Sequence, residues 1–597
     1  MGFFNLKRFN YLLMALVLTF PSIILAAEDA ALDQYFVANA AYNRKLYPVA
    51  VTQFQTFLQK HGNHPKADLA RRGLALSQYA LKQYDKAMPQ FAALLAKPRL
   101  DKTIDRERLI MLQGQCMLFS SKKDEARQLF IVQLNNLKNP TFKTAALAAI
   151  CDICFGKSEW DKVLEWTKKL SASKPAPDQA ARALYQQGYA FYQTEKTSEA
   201  TVSLSKVAQL QAIPEWKTRA AFLLGECHTL LKEFDKAEPA YAVALPGMKG
   251  NDALECQYRL GFTRFLLSKY EPATFDFEAY LKGAKPDAEG KPAPHVEESK
   301  FYIARSFLER EDYNQANQKF SQIAGAKSLT AAKANLWWAR VFSRQNQFQR
   351  SAQILVDAIK RFPNSPVIDD IEFDYANALI SLKSPDWKLA SDALSHVERR
   401  GKFGQMPEVI AQRSTCLHKL KDYNNSLRLA DSFIARFKDH SLLGDSRYMR
   451  AENLFLLNRS DESAKAYTDF IRAHKDHASV PAAQLRIAQV HHLAKRWPQA
   501  LQSAQPLLAK KPEGKLFTQL SFLVGDCFFR QDKWKESIKP FEDFINERVE
   551  INNKKQYKVS AGPNLDTALI QVAVAYDRTE EKTKALGHLR TLANHYP

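Results

Sequence analysis

Small residues recur along the apolar pattern of this 597-residue chain with a period that is most often 37 residues. Fifteen times a Gly, Ala, Ser or Cys is followed twelve residues later, or fourteen in one copy, by an Ala, Ser or Val. The first small positions are Ala38, Ala75, Gly114, Cys151, Gly188, Gly225, Gly261, Ala304, Ala339, Ala376, Ser414, Ala451, Ala488, Gly525 and Ala573. The second are Ala50, Ala87, Ala126, Val163, Ala200, Ala237, Ala273, Ala316, Ser351, Ala390, Ser426, Ser463, Ala500, Ser537 and Ala585. Eight of the fourteen intervals between first positions are 37 residues, and such a period predicts stacked copies of one supersecondary unit.

Each pair of small residues predicts two helices, A and B, that cross where neither carries a bulky side chain. An aromatic residue stands three positions before the second small residue in eleven copies, where it would cover the turn between the helices. A large apolar residue, here called the anchor, stands four positions after the second small residue in most copies. This spacing is typical of helices rather than strands. We therefore predict an all-α solenoid, a superhelix of about fifteen helical hairpins.

The fifth copy resembles the tetratricopeptide repeat (TPR) family. Its segment Ala183-Leu184-Tyr185-Gln186-Gln187-Gly188-Tyr189-Ala190-Phe191-Tyr192, followed by Ala200 and Leu204, is similar to that family's order of apolar, small, aromatic and bulky positions. The resemblance extends over fifteen copies, from about Leu32 to Pro597. The period of 37 exceeds the family's usual value of about 34 residues. Longer copies with turns such as 361–366 are similar to bacterial envelope scaffolds, including outer-membrane assembly lipoproteins and the Tol-Pal coordinator, which implies an exported binding protein.

Some copies depart from the pattern. Val163 replaces a smaller residue, and four copies lack the turn aromatic. In the tenth copy, Ser384 and Pro385 form a two-residue insertion before Trp387. We expect this insertion to lengthen that turn alone.

Residues 1–27 have the pattern of a signal peptide. Lys7 and Arg8 give a positive start, residues 11–25 form an apolar stretch, and Ala26-Ala27 precedes Glu28. Fifteen apolar residues are fewer than the roughly 20 of a membrane span, so we predict cleavage after Ala27, with an uncleaved anchor as the alternative. Glu28 stands where a lipidated Cys would be, which argues against a lipid anchor. The predicted mature protein has no transmembrane span, and residues 28–597 form one continuous repeat array.

The net charge of +21 is spread over both halves of the chain. A nucleic-acid-binding protein concentrates basic residues on one face or tail, so no nucleic-acid partner is expected. A basic surface would favour anionic envelope partners such as phospholipid or acidic polymer.

Seven cysteines, an odd number, do not suggest a disulfide framework in a chain of this size. They occupy repeat positions that predict a buried core, and Cys151 and Cys154 have the spacing of a redox motif but lie within a predicted helix. We expect buried thiols, and leave open whether any of them pair.

No phosphate-binding loop, zinc-protease helix or serine-nucleophile elbow is present in the sequence. His491 and His492 have no carboxylate or cysteine at ligand spacing beside them in the sequence. The repeats leave longer loops only near 283–297 and 549–563, too short for a catalytic domain but long enough for docking. We therefore predict no enzymatic activity, no catalytic or metal-binding residues and no cofactor. A peptidoglycan-cleaving enzyme with a helical superhelix would need a separate catalytic domain.

Aromatic residues are densest on the A helices of copies five to seven. Helix A is expected to line the inner side of the superhelix, which binds peptides or partner domains. The candidate partner-binding residues are Tyr185, Tyr189, Tyr192, Phe222, Tyr258, Phe262 and Phe265. The alternative is that these rings only pack successive A helices together.

The most favoured function is a non-enzymatic scaffold or adaptor that is exported to the periplasm, or to the periphery of the outer membrane, and binds other envelope proteins or peptides. The alternative is a scaffold that binds polysaccharide or peptidoglycan in a polymer-export or remodelling complex. Repeats establish a capacity to bind and leave the ligand open.

Overall fold

A computed structural model describes residues 26–547, 549–551, 557–559 and 563–595. Thirty α-helices and two short strands are found in these residues, which confirms the all-α repeat class. The chain divides into two compact units, Met1–Ser299 and Lys300–Pro597. Of the predicted signal peptide, residues 1–25 lie outside the described residues. Its cleavage and the continuity of the array from residue 28 stay predictions.

The first unit contains seven hairpins. Their helices are α1 (Ala26–Asn43), α2 (Tyr47–Lys60), α3 (Ala67–Ala80), α4 (Tyr84–Leu95), α5 (Arg106–Phe119), α6 (Lys123–Gln133), α7 (Pro140–Gly156), α8 (Trp160–Ala172), α9 (Pro177–Gln193), α10 (Thr197–Val207), α11 (Pro214–Leu230), α12 (Phe234–Ala244), α13 (Gly250–Leu266) and α14 (Tyr270–Gly283).

The next helix, α15 (Val296–Glu309), includes the boundary between the units. The later helices are α16 (Tyr313–Ala324), α17 (Leu329–Arg344), α18 (Phe348–Arg361), α19 (Ile368–Ile380), α20 (Trp387–Arg400), α21 (Met406–Lys419), α22 (Tyr423–Arg436), α23 (Leu443–Leu456), α24 (Ser460–Ala473), α25 (Val480–Leu493), α26 (Trp497–Ala509), α27 (Lys515–Phe529), α28 (Trp534–Asn546), α29 (Leu565–Arg578) and α30 (Lys582–His595).

All fifteen predicted hairpins are present. Every first small position lies on an odd-numbered helix and every second one on the following even-numbered helix. Helix B begins three residues before its second small position in every copy, including those that start at Lys123 or Thr197 instead of an aromatic residue. Where the aromatic is present it covers the end of helix A, as Trp534 does against Phe529 with ring centroids 5.0 Å apart.

The small residues allow helices A and B of a hairpin to cross closely in two ways. Ser414 and Ser426 meet directly, because the Ser426 hydroxyl donates to the Ser414 carbonyl oxygen over 2.8 Å. Where the first position is glycine, the anchor of helix B lies over it. A Cβ on Gly225 would be 2.6 Å from the Tyr241 ring, and one on Gly114 only 2.2 Å from Phe130. Eight of the twelve largest fully buried side chains are anchors: Phe54, Phe91, Phe130, Tyr241, Phe277, Phe320, Tyr467 and Phe541.

The turns from helix A to helix B share a left-handed residue that is not glycine. It stands five positions before the second small residue in fourteen copies, as at Lys82 with a φ of 58° and Lys232 with a φ of 59°. The next N–H then closes the helix end, as Gln83 does by donating to the Gln78 carbonyl oxygen over 2.9 Å, in the manner of a Schellman cap. The tenth copy has no such residue among those described, since its two-residue insertion takes the chain along a longer path.

Successive A helices pack against one another within each unit. Such contacts join α7 to α9 and α9 to α11 in the first unit, and α25 to α27 and α27 to α29 in the second. Side chains on neighbouring A helices therefore come together although they are about one repeat apart in sequence.

The two predicted loops differ in structure. Residues 284–295 contain no helix or strand. The later loop contains strands β1 (Val549–Ile551) and β2 (Tyr557–Val559), which pair antiparallel with Glu550 opposite Lys558.

Candidate functional site

Six aromatic residues of copies four to six form a chain of ring contacts, here called the aromatic ladder. Its members are Phe155, Trp160, Tyr185, Tyr189, Tyr192 and Trp216. The ring centroids of Phe155 and Tyr189 are 5.2 Å apart, and those of Tyr185 and Trp216 are 5.7 Å apart. All six side chains are half-buried. Each ring thus contacts the core and keeps part of its surface in solvent, the condition that a binding surface needs.

The seven predicted binding residues do not form one surface. Tyr185, Tyr189 and Tyr192 belong to the aromatic ladder. Phe222 instead packs edge-on against the anchor Tyr241 of its own hairpin, with centroids 5.8 Å apart. Tyr258 is buried, with 6% of its surface exposed.

The last two predicted residues are half-buried and lie around the seventh copy. Phe262 is parallel to Tyr258 at 6.3 Å, and Phe265 contacts the turn aromatic Tyr270 at 5.6 Å. Phe222 and Tyr258 thus pack against helix B of their own hairpins rather than between successive A helices. Partner binding by the seven residues stays a prediction.

Three members of the ladder were not among the predicted residues. Phe155 stands four residues after its first small position, as Tyr192 and Phe265 do in their copies. Its position in the repeat could therefore have predicted that it belongs to the same surface. Trp160 is a turn aromatic. Trp216 lies in the first turn of α11, where the repeat pattern has no aromatic position. Only the packing of α9 against α11 shows that Trp216 belongs to the ladder.

Charged groups border the ladder. The Asp152 carboxylate accepts a hydrogen bond from Gln186 over 2.7 Å and pairs with Arg182 at 2.6 Å. Burial raises the pKa of Asp152 above its usual range, although both partners act in the opposite direction. The guanidinium carbons of Arg182 and Arg219 lie 5.7 and 5.4 Å from the Trp216 ring. The surface therefore offers aromatic faces, hydrogen-bonding groups and charges of both signs.

The contact between Asp152 and Gln186 is one case of a rule. The residue after the first small position meets the residue two positions before the first small position of the next copy. Equivalent contacts are Glu226–Arg259 at 3.5 Å, Arg340–Asp374 at 2.6 Å, Glu452–Arg486 at 2.9 Å and Asp526–Gln571 at 2.7 Å. Polar groups at these positions thus join adjacent repeats, and their charges are already satisfied within the protein.

Two of these contacts include the anchor. In copies six and twelve the anchor is tyrosine, and Tyr241 and Tyr467 donate hydrogen bonds to Glu226 and Glu452. Arg486 also holds Glu452 through a second bond of 3.1 Å. These interactions explain why tyrosine replaces phenylalanine in two buried positions.

The cysteines and His492, considered for metal or redox chemistry, are buried or bonded within the repeats. All seven cysteines are buried and free, and burial raises the pKa of Cys116 and Cys527 to about 12. His492 contacts the Asp526 carboxylate at 2.6 Å, a partner 34 residues away that the spacing in sequence could not reveal. In the part of the chain that the structure describes, no group of three or more His, Cys, Asp or Glu side chains is placed to hold a metal ion. None of the described helices combines the length and apolar character that crossing a bilayer requires.

Comparison with known families agrees with the repeat geometry. Profiles of the tetratricopeptide repeat match residues 38–101, 333–365 and 448–515. The chain contains tetratricopeptide repeats in these three segments. Such repeats in general form scaffolds that bind protein partners, and the matched segments support that broad role here. A search of curated proteins found no matching sequence.

Several solved structures are similar to parts of this chain. A MamA protein (residues 41 to the end) from Desulfovibrio magneticus RS-1 is 12% identical, with a TM-score of 0.26, over 32% of this chain and 95% of the MamA chain. A tetratricopeptide repeat protein from Parabacteroides merdae ATCC 43184 is 12% identical, with a TM-score of 0.30, over 47% of this chain and 99% of its own.

Proposed function

We propose that this protein is an exported, non-enzymatic adaptor of a bacterial cell envelope, and that it binds envelope proteins or peptides through the aromatic ladder. The observation that carries the proposal is that six half-exposed rings contact one another, whereas the aromatic anchors of the B helices are buried. Aromatic side chains in such positions supply much of the binding energy at protein interfaces.

The charges beside the ladder support a polypeptide ligand. Arg182 and Arg219 are about half exposed while they flank Trp216. Each can therefore donate hydrogen bonds to a carboxylate or carbonyl group of a partner whose apolar side chains contact the rings.

Site-specific crosslinking tests where a partner binds. A photoreactive amino acid at position 192 should yield a crosslinked envelope protein that mass spectrometry maps to the ladder. The same group at position 275 is the control, because Phe275 is 70% exposed yet lies on α14, away from the ladder. Equal products from both positions would contradict the proposed surface.

Substitution then measures the contribution of the rings. Tyr189→Leu combined with Trp216→Leu keeps apolar volume but removes two aromatic faces, and we expect affinity for the captured partner to fall about tenfold or more. Phe275→Leu should leave affinity unchanged. Circular dichroism of each variant checks that the helices are retained.

A second candidate ligand is polysaccharide or peptidoglycan. It is favoured by the half-exposed rings, whose faces can stack on sugar rings, together with the half-exposed guanidinium groups of Arg182 and Arg219, which can donate to sugar hydroxyls. Co-sedimentation with insoluble peptidoglycan that is reduced by the double substitution, without any protein crosslink at position 192, would favour this candidate over a protein partner.

Export is tested separately. The motive is the basic start, apolar stretch and Ala26-Ala27 end of the first 27 residues. N-terminal sequencing of the mature protein should begin near Glu28, and fractionation should place it in the periplasm or with the outer membrane. An intact Met1 on protein recovered from the cytoplasm would exclude this localisation.

A further inference from the structure

The first and last helices that the structure describes, α1 and α30, each leave an apolar face exposed. On α1, Phe36 and Val37 are more than half exposed. On α30, Leu586 is also more than half exposed and Leu589 is 43% exposed. The outer face of a terminal repeat in a solenoid is normally polar, because no further repeat covers it. Two apolar faces at these places therefore indicate that something packs on them.

The α30 face, formed by Leu586 and Leu589, is the surface that a helix B turns toward the next repeat. Leu589 occupies the anchor position of the fifteenth copy. In the other fourteen copies the residue at that position is at most 2% exposed. Phe54 shows the reason, since a Cβ on Gly73 of the following helix A would be only 2.3 Å from its ring. An anchor is thus covered by its own hairpin and by the next helix A, and among the described residues Leu589 has only the first of these covers.

The α1 face, formed by Phe36, Val37 and Ala40, is the surface that a helix A turns toward the preceding repeat. Ala40 stands two positions after its first small residue and is exposed. The residue at that position is at most 4% exposed in the other fourteen copies. Phe36 has the position that Gly73 has in the second copy, where the preceding anchor packs. The chain therefore carries both halves of one repeat junction, and each half is exposed.

The internal junctions show how two such halves meet. Asn317, one position after the second small residue of its copy, accepts a hydrogen bond over 2.6 Å from Trp338, one position before the first small residue of the next copy. Further along helix B, the carbonyl oxygen of the anchor Tyr241 is 3.5 Å from the thiol of Cys256, five positions before the next first small residue. A later position on helix B thus meets an earlier one on the next helix A, so the two helices run antiparallel.

We propose that copies of this protein associate head to tail, with α30 of one copy packed against α1 of the next. In the register of the internal junctions, Leu586 lies against Val37. Leu589, at the anchor position, lies against Phe36. The contact joins two different surfaces, so it is heterologous and can continue into a ring or an open chain of copies. It does not depend on the function proposed for the aromatic ladder, which lies in copies four to six.

One pair of charges favours the same arrangement. Asp33 on α1 is exposed and stands five positions before its first small residue, where the other fourteen copies have a buried residue without charge. The contact of Cys256 with Tyr241 places this position beside the anchor of the facing helix. On α30 the residue after the anchor position is Arg590, which is also exposed. Antiparallel packing of the two end helices therefore brings opposite charges close together.

Sedimentation velocity of the purified protein tests whether it associates. The average mass should rise above that of one chain as the concentration increases from about 1 to 100 µM. A mass of one chain over this whole range would overturn the proposal, and it would also be the result if a different protein covers these two faces.

Two variants, each blocking one face, test the head-to-tail arrangement. Val37→Glu and Leu586→Glu should each weaken association at least about a hundredfold, because each places a charge in an apolar contact. Mixed in equal amounts, they should form a dimer that grows no further, since each variant retains the face that is blocked in the other. Val202→Glu on α10 is the matched control, because Val202 is exposed to the same degree but lies on neither end helix. It should associate as the wild type does.

Two further results would contradict the arrangement. If either single variant associates as the wild type does, two like ends meet instead of two different ones. If the mixture of the two variants stays monomeric, the two faces do not bind each other. Circular dichroism and thermal melting check that both variants are folded. Should a glutamate disturb its hairpin, the same mixing experiment with Phe36→Ser and Leu589→Ser, which add no charge, keeps the test decisive.

Discussion

Gly225→Ala tests whether the glycines of the repeat exist to receive the anchor of helix B. Gly225 lies on α11, and a Cβ there would be 2.6, 2.7 and 2.9 Å from three atoms of the Tyr241 ring. Contacts below about 3.0 Å require one group to move. Tyr241 is completely buried, so its ring has no free space into which it could turn.

The magnitude follows from three terms. Alanine gains roughly 0.5–1 kcal/mol over glycine inside a helix, whereas an additional carbon in a packed core costs about 1–3 kcal/mol. If the ring shifts, its hydroxyl loses the 2.5 Å bond to Glu226 and the 3.1 Å contact with Thr229, and a bond to a charged group contributes about 1.5–3 kcal/mol. We expect a net local loss of up to about 2.5 kcal/mol if the hydroxyl keeps its bonds, and of about 1.5–5.5 kcal/mol if the ring shifts and loses them.

Hydrogen exchange is the appropriate measurement, because each hairpin of a repeat array is stabilised mainly by its neighbours. Exchange should accelerate in α11, α12 and the adjacent helices and remain unchanged in distant copies. Gly587→Ala is the matched control, since a Cβ at Gly587 meets nothing within 4 Å. That substitution should leave exchange the same or slow it slightly.

A double-mutant cycle with Tyr241→Ala separates the ring contact from other effects. Removing the ring should abolish the penalty of the added methyl group, which gives a coupling of about 1–3 kcal/mol. The reasoning would be refuted if Gly225→Ala were as harmless as Gly587→Ala, or if its cost were the same with and without the ring.

Three further predictions concern the turns, the buried charges and the thiols. Lys232→Gly should stabilise the sixth hairpin by about 0.5–1 kcal/mol, because Lys232 has a φ of 59°. Lys236→Gly on helix α12 should instead destabilise it by about 1 kcal/mol, and equal effects in thermal melts would disprove the role of the turn. Burial would raise the pKa of Glu452, but hydrogen bonds from Arg486 and two tyrosines outweigh it and hold that pKa below the usual range. Its stabilising effect is therefore complete above the unfolded value of about 4.3 and is lost as pH falls below it; hydrogen exchange around α23 to α25 should show this acid sensitivity, and Glu452→Gln should remove it. Because all seven cysteines are buried, a thiol reagent at pH 8 should leave the folded protein unmodified and react with every thiol in denaturant, so that labelling of Cys116 before unfolding would contradict the core assignment.

The repeat was readable from sequence because its cause is local. Two small residues twelve positions apart, such as Ala75 and Ala87, place one helix crossing in each copy. The anchors and the starts of the B helices follow from the same register, because helical periodicity puts them on the face that the crossing buries. The left-handed turn residues were not readable, since lysine, serine and glutamate occupy them as readily as asparagine. At these turns the packing of helix A against helix B imposes the left-handed backbone conformation, although residues other than glycine disfavour it.

For the aromatic residues, too, sequence and tertiary structure determined different properties. The sequence by itself determined that aromatic residues are concentrated on the A helices of copies five to seven. Only the tertiary structure decided that Tyr189 belongs to a half-exposed ladder with Trp160, whereas Tyr258 is buried. The rings of Phe277 and Tyr280 on helix B and of His295 in the following loop cover Tyr258, whereas Tyr189 meets only rings that are themselves half-exposed. Tertiary structure likewise decided the contacts of Asp526, whose partners His492 and Gln571 come from the preceding and the following copy. Periodicity assigns a residue to a position within its own hairpin, and packing between hairpins determines what that position contacts.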